Sequence, residues 1–278
     1  MTQCEFLVPL QGNQSDVSLI NATLTLAHAL DGQVTTIYAQ NDPIDMLAWP
    51  ADGGFATASA SLIEAATSGN DDAWAEEEAR VQAIAMSEPR LTVERLTGHP
   101  ELQMAKRGTL CDVAVFSCDS ARGKTGVSTI FTALLMDAHA PVLIIRGGAE
   151  PKFGKVAIAW DGGLEVSRAA KAALVFLKAA SSIVIIQSTD NLDEFDKSLS
   201  DPARLLDWLA RHDLTATLET IPDNKDVAGE ILAACATLSV DLLICGAYGH
   251  SRAREFIFGG VTRTLIKTTT SPSLFLSH

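Results

Sequence analysis

Short runs of apolar and β-branched residues alternate along this chain with longer stretches whose apolar positions recur at helical spacing. That alternation predicts a parallel sheet with crossover helices. In the first half, strands are expected at 6–10, 34–38, 91–96, 112–116 and 141–145. Helical patterns fall near 15–30, 58–87, 100–108 and 129–135. The second half repeats the order. Strands are expected at 156–160, 183–186, 215–220, 241–245 and 274–276, with helices at 166–178, 201–212, 227–238 and from Val261 onward. Pro202 suits the first position of its helix. Val261, Leu265 and Ile266 are predicted to share one face of the last helix.

The repetition is visible residue by residue. Cys111-Asp112-Val113-Ala114-Val115-Phe116 parallels Val240-Asp241-Leu242-Leu243-Ile244-Cys245. His139-Ala140-Pro141-Val142-Leu143-Ile144 parallels Thr270-Ser271-Pro272-Ser273-Leu274-Phe275. A period of roughly 130 residues means a duplicated domain rather than a solenoid. The 278 residues have room for two moderate domains. We place these at 1–148 and 152–278, joined by the turn-rich Arg146-Gly147-Gly148-Ala149-Glu150-Pro151.

Composition narrows the class. A hydrophobic content of 47% supports a core, and no apolar run is long enough to span a bilayer. The first residues, Met1 to Phe6, show no basic segment leading into an apolar one, so a cytoplasmic location is expected. Five cysteines without metal-ligand spacing suit a reducing compartment, with Cys111, Cys235 and Cys245 read as inert core thiols. The formal charge of −13 argues against nucleic acid or an anionic membrane as main partner. A phosphorylated ligand stays open, because a helix N-terminus binds anions through local N–H groups.

The chemistry concentrates near the C-terminus. The strand at 241–245 runs into Gly246-Ala247-Tyr248-Gly249, and nine residues, His250 to Phe258, lead to Gly259-Gly260-Val261-Thr262. Glycines at a strand end and at a helix start let backbone N–H groups approach a phosphate chain. Their other reading is a tight turn and a close helix–sheet approach.

With that spacing the chain resembles a tandem universal stress protein. ATP-binding members of that family carry Gly, two residues, Gly, nine residues, Gly, then Ser or Thr. Gly246, Gly249 and Gly259 match, and Asp161 stands where the family places an Asp after its first strand. Gly260 departs from the Ser or Thr. The resemblance implies an α/β fold of two tandem domains, similar to the adenine nucleotide alpha hydrolases. Each would have a five-stranded, mostly parallel sheet with helices on both faces.

It also implies one site for ATP or AMP, with Mg2+ as accompanying ion. Gly246 and Gly249 would line the phosphates, and Gly259 and Gly260, with Val261 and Thr262 after them, would supply N–H groups at the helix start. Asp161 would meet the ribose or adenine, or act only as a turn residue. Ile186 would be an adenine contact. His250 would approach a phosphate or face solvent. A hydroxyl at position 260 would add a bond to a charged group worth about 1.5–3 kcal/mol, which Gly260 forgoes and Thr262 is placed to replace. The implied role is a stress response through ligand-regulated association with a protein partner, not catalysis. A nucleotide-free interaction protein and a slow ATP hydrolase are the alternatives. Two domains in one chain allow an intramolecular pseudo-dimer or a homodimer.

The first half lacks the motif. Ser117 and Ser120 replace the glycine pair, and Gln11-Gly12-Asn13 follows the first strand without the acid. That half is expected to hold no nucleotide. Cys118 to Thr125 superficially resembles a P-loop whose first glycine is Cys118, and Lys124 is read as a solvated loop residue. Asp71, Asp72 and Glu76 to Glu78 are read as a solvated helix start. His28, His139 and His212 are too dispersed to suggest a metal or catalytic site, and Arg252 and Arg254 lie in the glycine loop.

Overall fold

A computed structural model describes residues 4–46, 60–146, 151–188, 200–222, 226–248, 260–270 and 272–278. The first half contains β1 (Glu5–Pro9), α1 (Ser15–Leu30), β2 (Gln33–Gln40), α2 (Pro43–Met46), α3 (Ala60–Ala85), β3 (Leu91–Thr97) and α4 (Pro100–Gly108). It continues with β4 (Val113–Ser117), α5 (Cys118–Ala121), α6 (Ser128–Thr132) running into a π-helical turn (Ala133–Asp137), and β5 (Val142–Ile145). The second half contains β6 (Lys155–Ala159), α7 (Leu164–Ala172), α8 (Leu174–Ala179), β7 (Ser182–Ser188) and α9 (Pro202–Ala210). After these come β8 (Ala216–Ile221), α10 (Val227–Leu238), β9 (Leu242–Gly246), α11 (Gly260–Lys267) and β10 (Ser273–Ser277).

All ten strands form one sheet in the order β3-β2-β1-β4-β5-β10-β9-β6-β7-β8. Pairing is parallel within each five-stranded half, and the halves meet where β5 and β10 run antiparallel, Leu143 opposite Phe275. The two halves thus join edge to edge in one sheet.

Strand alternation sorts apolar residues onto two faces. Phe6, Val113, Val156, Ile183, Ile244 and Phe275 pack under α1, α7, α8 and α9. Leu7, Ala114, Ala157, Val184, Leu243 and Leu274 pack under α4, α6, α10 and α11. The first face is continuous across the joint, because Phe176 of α8 meets Phe6 and Phe275 edge-on, with ring centroids 6.4 and 5.6 Å away. Helix starts follow the sequence signals. Asp201 accepts from the Ala203 N–H at 2.8 Å ahead of Pro202, and Asp226 accepts from the Gly229 N–H at 3.0 Å to open α10.

Arg146 bolts the halves together. Its guanidinium is buried and donates to the carbonyls of Pro272, at 2.9 Å, and Leu265, while its backbone N–H donates to Ser273 Oγ at 3.1 Å. Burial draws its pKa below the usual arginine value.

Four expectations need correction. The helix at 166–178 is two helices, broken at Ala173, and the pattern near 129–135 is a short helix ending in a π turn. The inward face of α11 is Thr262, Leu265 and Ile266, leaving Val261 39% exposed. The acids at 71–78 lie in the middle of α3, since that helix starts at Ala60. Glu77 is not solvated: it is fully buried and pairs with Arg80, while Asp71 pairs with Arg95 at 2.8 Å. No described helix is long and apolar enough to cross a membrane.

Candidate functional site

β6 delivers the chain to a loop, Trp160 to Gly163, at the carboxyl edge of the sheet. Gly162 takes a left-handed conformation (φ 76°), and Asp161, exposed, accepts from the Gly163 N–H at 2.8 Å. That is a turn-forming bond of the kind Asp commonly makes. β9 lies beside β6 and ends at Gly246. A Cβ on Gly246 would stand 2.7 Å from the Val166 backbone nitrogen and 2.8 Å from Glu165 Cβ. The first turn of α7 therefore rests directly on the last residue of β9. This close approach accounts for Gly246 structurally and brings the Asp161 loop and the exit of β9 together.

After Gly246, Ala247 is fully buried and its N–H donates to Ser277 O at 2.9 Å. Tyr248 is left-handed (φ 66°), and burial raises its phenol pKa. Ile186, at the end of β7, is 1% exposed in the second-face core, and its carbonyl accepts the Trp160 N–H at 2.9 Å. Its side chain is core packing, and its backbone braces the Asp161 loop. Gly260 begins α11, and no described heavy atom lies within 4 Å of where its Cβ would be. Thr262 sits on the inward face of that first turn, 7% exposed. Gly249, His250, Gly259, Arg252 and Arg254 lie outside the described residues.

The first half shows what became of the same place there. Gly12 (φ 80°) matches Gly162, and the Leu10 N–H donates to Ile37 O at 2.9 Å as Trp160 does to Ile186. The difference is Asp16, which occupies the position of Val166. Its fully buried carboxylate accepts from the N–H groups of Gln11 (2.9 Å), Gly12 (2.8 Å) and Asn13 (3.1 Å). The loop's anion-seeking amides are thus satisfied from within. Burial raises the Asp16 pKa, with those three bonds and Arg80 pulling the other way. Gln11 Nε2 also donates to Ser120 Oγ at 2.9 Å, and Ser120 Oγ lies 2.9 Å from Ser117 Oγ. The sequence reading missed Asp16. Its signal was an acid in the first helical turn after a glycine loop.

Other candidates resolve simply. Lys124 is exposed with Nζ 3.6 Å from Asp119, and Cys118 begins the short α5, so no phosphate loop forms there. His28 lies 3.0 Å from Glu88, His212 meets Trp208 edge-on at 4.7 Å, and His139 stacks on His278 at 5.4 Å. Among the described residues no group of His, Cys, Asp or Glu could hold a metal ion. Cys4, Cys111, Cys235 and Cys245 are buried, and desolvation pushes each thiol up to about 12.

Residues 152–276 match the model of the universal stress protein family. A universal stress protein from Archaeoglobus fulgidus is structurally similar, with TM-score 0.66 and 13% identity over 98% of this chain and 95% of that one. A functionally unknown protein from Pseudomonas aeruginosa is also similar, with TM-score 0.59 and 13% identity over 99% and 92%. At such identities the likeness shows the fold alone. No curated protein matches the sequence.

Proposed function

We propose, for a chain whose residues 152–276 match the model of the universal stress protein family, that its C-terminal half binds one adenine nucleotide, ATP or AMP. The site is the carboxyl edge of β6, β7 and β9, where open α/β sheets bind ligands. One contrast carries this reading. The loop that Asp16 seals in the first half has Val166, which offers no acceptor, at the same place in the second.

Asp161 would accept from the ribose or the adenine. The first N–H groups of α11, at Gly260, Val261 and Thr262, have no partners within their own helix and would meet phosphate together with Gly246, Gly249 and Gly259. His250, in the same glycine loop of the sequence, would approach a phosphate or face solvent. Mg2+ would accompany a triphosphate as a phosphate-bound ion. The first half, closed by Asp16, stays empty.

Binding rather than turnover is the role we assign. Occupancy would change the shape of the β9–α11 edge and so regulate association with a protein partner in the cytoplasm. A monomer with its two halves fused in one sheet is the expected state, with edge strands β3 and β8 available for a homodimer. Native mass spectrometry of freshly purified protein tests the proposal. One ATP or AMP per chain, lost in Asp161→Ala, supports it. No bound mass and no thermal shift in millimolar ATP and magnesium would favour a nucleotide-free interaction protein. ATP turnover abolished by Asp161→Ala would favour a slow hydrolase.

A further inference from the structure

On the first face of the sheet, α7 and α9 leave a cavity of about 320 Å3 between them. α7 contributes the small side chains of Ser167 and Ala170, with Lys171 beside them, and α9 contributes Trp208. Two indoles line it. Trp160 is nearly buried, its Nε1 donating to Ser200 O at 2.9 Å, and the Trp208 ring is braced by His212 at 4.7 Å. Both aromatic walls are therefore held in place before any ligand arrives.

Charge is the second feature. Lys171, Arg204 and Arg211 line the cavity against a single carboxylate, Asp207, in a chain whose formal charge is −13. Among the described residues neither Lys171 nor Arg211 takes part in an ion pair. A cluster of cations in an acidic protein, beside two fixed indoles, selects for a ligand that is both flat and negative. Ring faces stack on indole, and a carboxylate takes charge-assisted bonds from guanidinium and ammonium. The volume is at the low end of ligand pockets, roughly 300–1,000 Å3, and suits one small ring system rather than a triphosphate nucleotide.

We propose that this cavity is a second ligand site, separate from the nucleotide site, taking a compact aromatic carboxylate. The site does not depend on nucleotide binding, so either proposal can fail alone.

The test is titration of the full-length protein with 2-naphthoate, followed by calorimetry and tryptophan fluorescence, with 2-naphthalenemethanol as the neutral analogue. Naphthoate should bind at least tenfold more tightly than the alcohol. Lys171→Glu and Arg211→Glu, both exposed positions, should each weaken it at least tenfold without lowering the melting temperature. Ser167→Leu, which narrows the cavity, should weaken it at least tenfold, and ATP should not displace it. Absence of naphthoate binding, equal binding of the alcohol, or indifference to both charge reversals would overturn the proposal. Competitive displacement by ATP would also overturn it, by making the cavity part of the nucleotide site.

Discussion

Gly246 lies so close beneath the first turn of α7 that a Cβ on it would stand 2.7 Å from the Val166 backbone nitrogen. Neither partner is a flexible side chain, so a methyl group there must move a helix or a strand. Gly246→Ala should therefore destabilise by about 1–3 kcal/mol, seen as a lower urea midpoint at unchanged slope. Gly260→Ala meets open space at a helix start and should change stability by less than about 1 kcal/mol, on the favourable side. The reverse order of effects would contradict the described packing of α7 on β9.

Asp16 supplies a pH signature. Its folded pKa is raised by burial, so the native state holds that proton more tightly than the unfolded chain. The corresponding stability is fully present below the unfolded pKa and is lost as pH rises through the folded one. On acidification through that window, wild type should gain stability relative to Asp16→Asn, which keeps an acceptor oxygen but cannot titrate. Urea unfolding of both proteins across pH checks this, and a constant difference would contradict it. Asp16→Ala leaves the N–H groups of Gln11, Gly12 and Asn13, at most half-buried, without their shared acceptor and should destabilise by about 1–3 kcal/mol.

Arg146 is the test of the joint. Arg146→Met keeps the volume but leaves the carbonyls of Pro272 and Leu265 without their donor, a loss of about 2–4 kcal/mol. Hydrogen exchange should show β5 and β10 amides losing protection before those of β1 and β2. Uniform loss across the sheet would mean that Arg146 does not hold the halves together.

The fold was largely legible in the chain because the duplication doubles every signal. Asp112 and Asp241 illustrate this: each is the residue before an apolar run. Each carboxylate accepts from the first strand of its own half, from Glu5 N at 2.8 Å and Lys155 N at 2.9 Å. Short apolar runs placed all ten strands. What they missed depends on contacts across the sequence. The inward turn of Thr262 follows from how α11 docks, and the burial of Glu77 from its pairing with Arg80 under the first-face core. At the site, the Asp161 turn and Gly246 were legible as local motifs. Asp16 was not, because its role appears only when the two halves are superposed and Val166 is seen in its place. The cavity under Trp208 is equally a product of two helices meeting, and no single segment encodes it.

Calorimetric titration of ATP with magnesium into the native chain and into Gly260→Ser bears most directly on the nucleotide site. The serine restores a hydroxyl donor at the start of α11, and one bond to a charged phosphate is worth about 1.5 kcal/mol or more, roughly tenfold in affinity. We predict one ATP per chain in both proteins, bound about tenfold more tightly by Gly260→Ser and more weakly by Asp161→Ala. No binding by either the native chain or Gly260→Ser, with both folded, would contradict a nucleotide site in the C-terminal half.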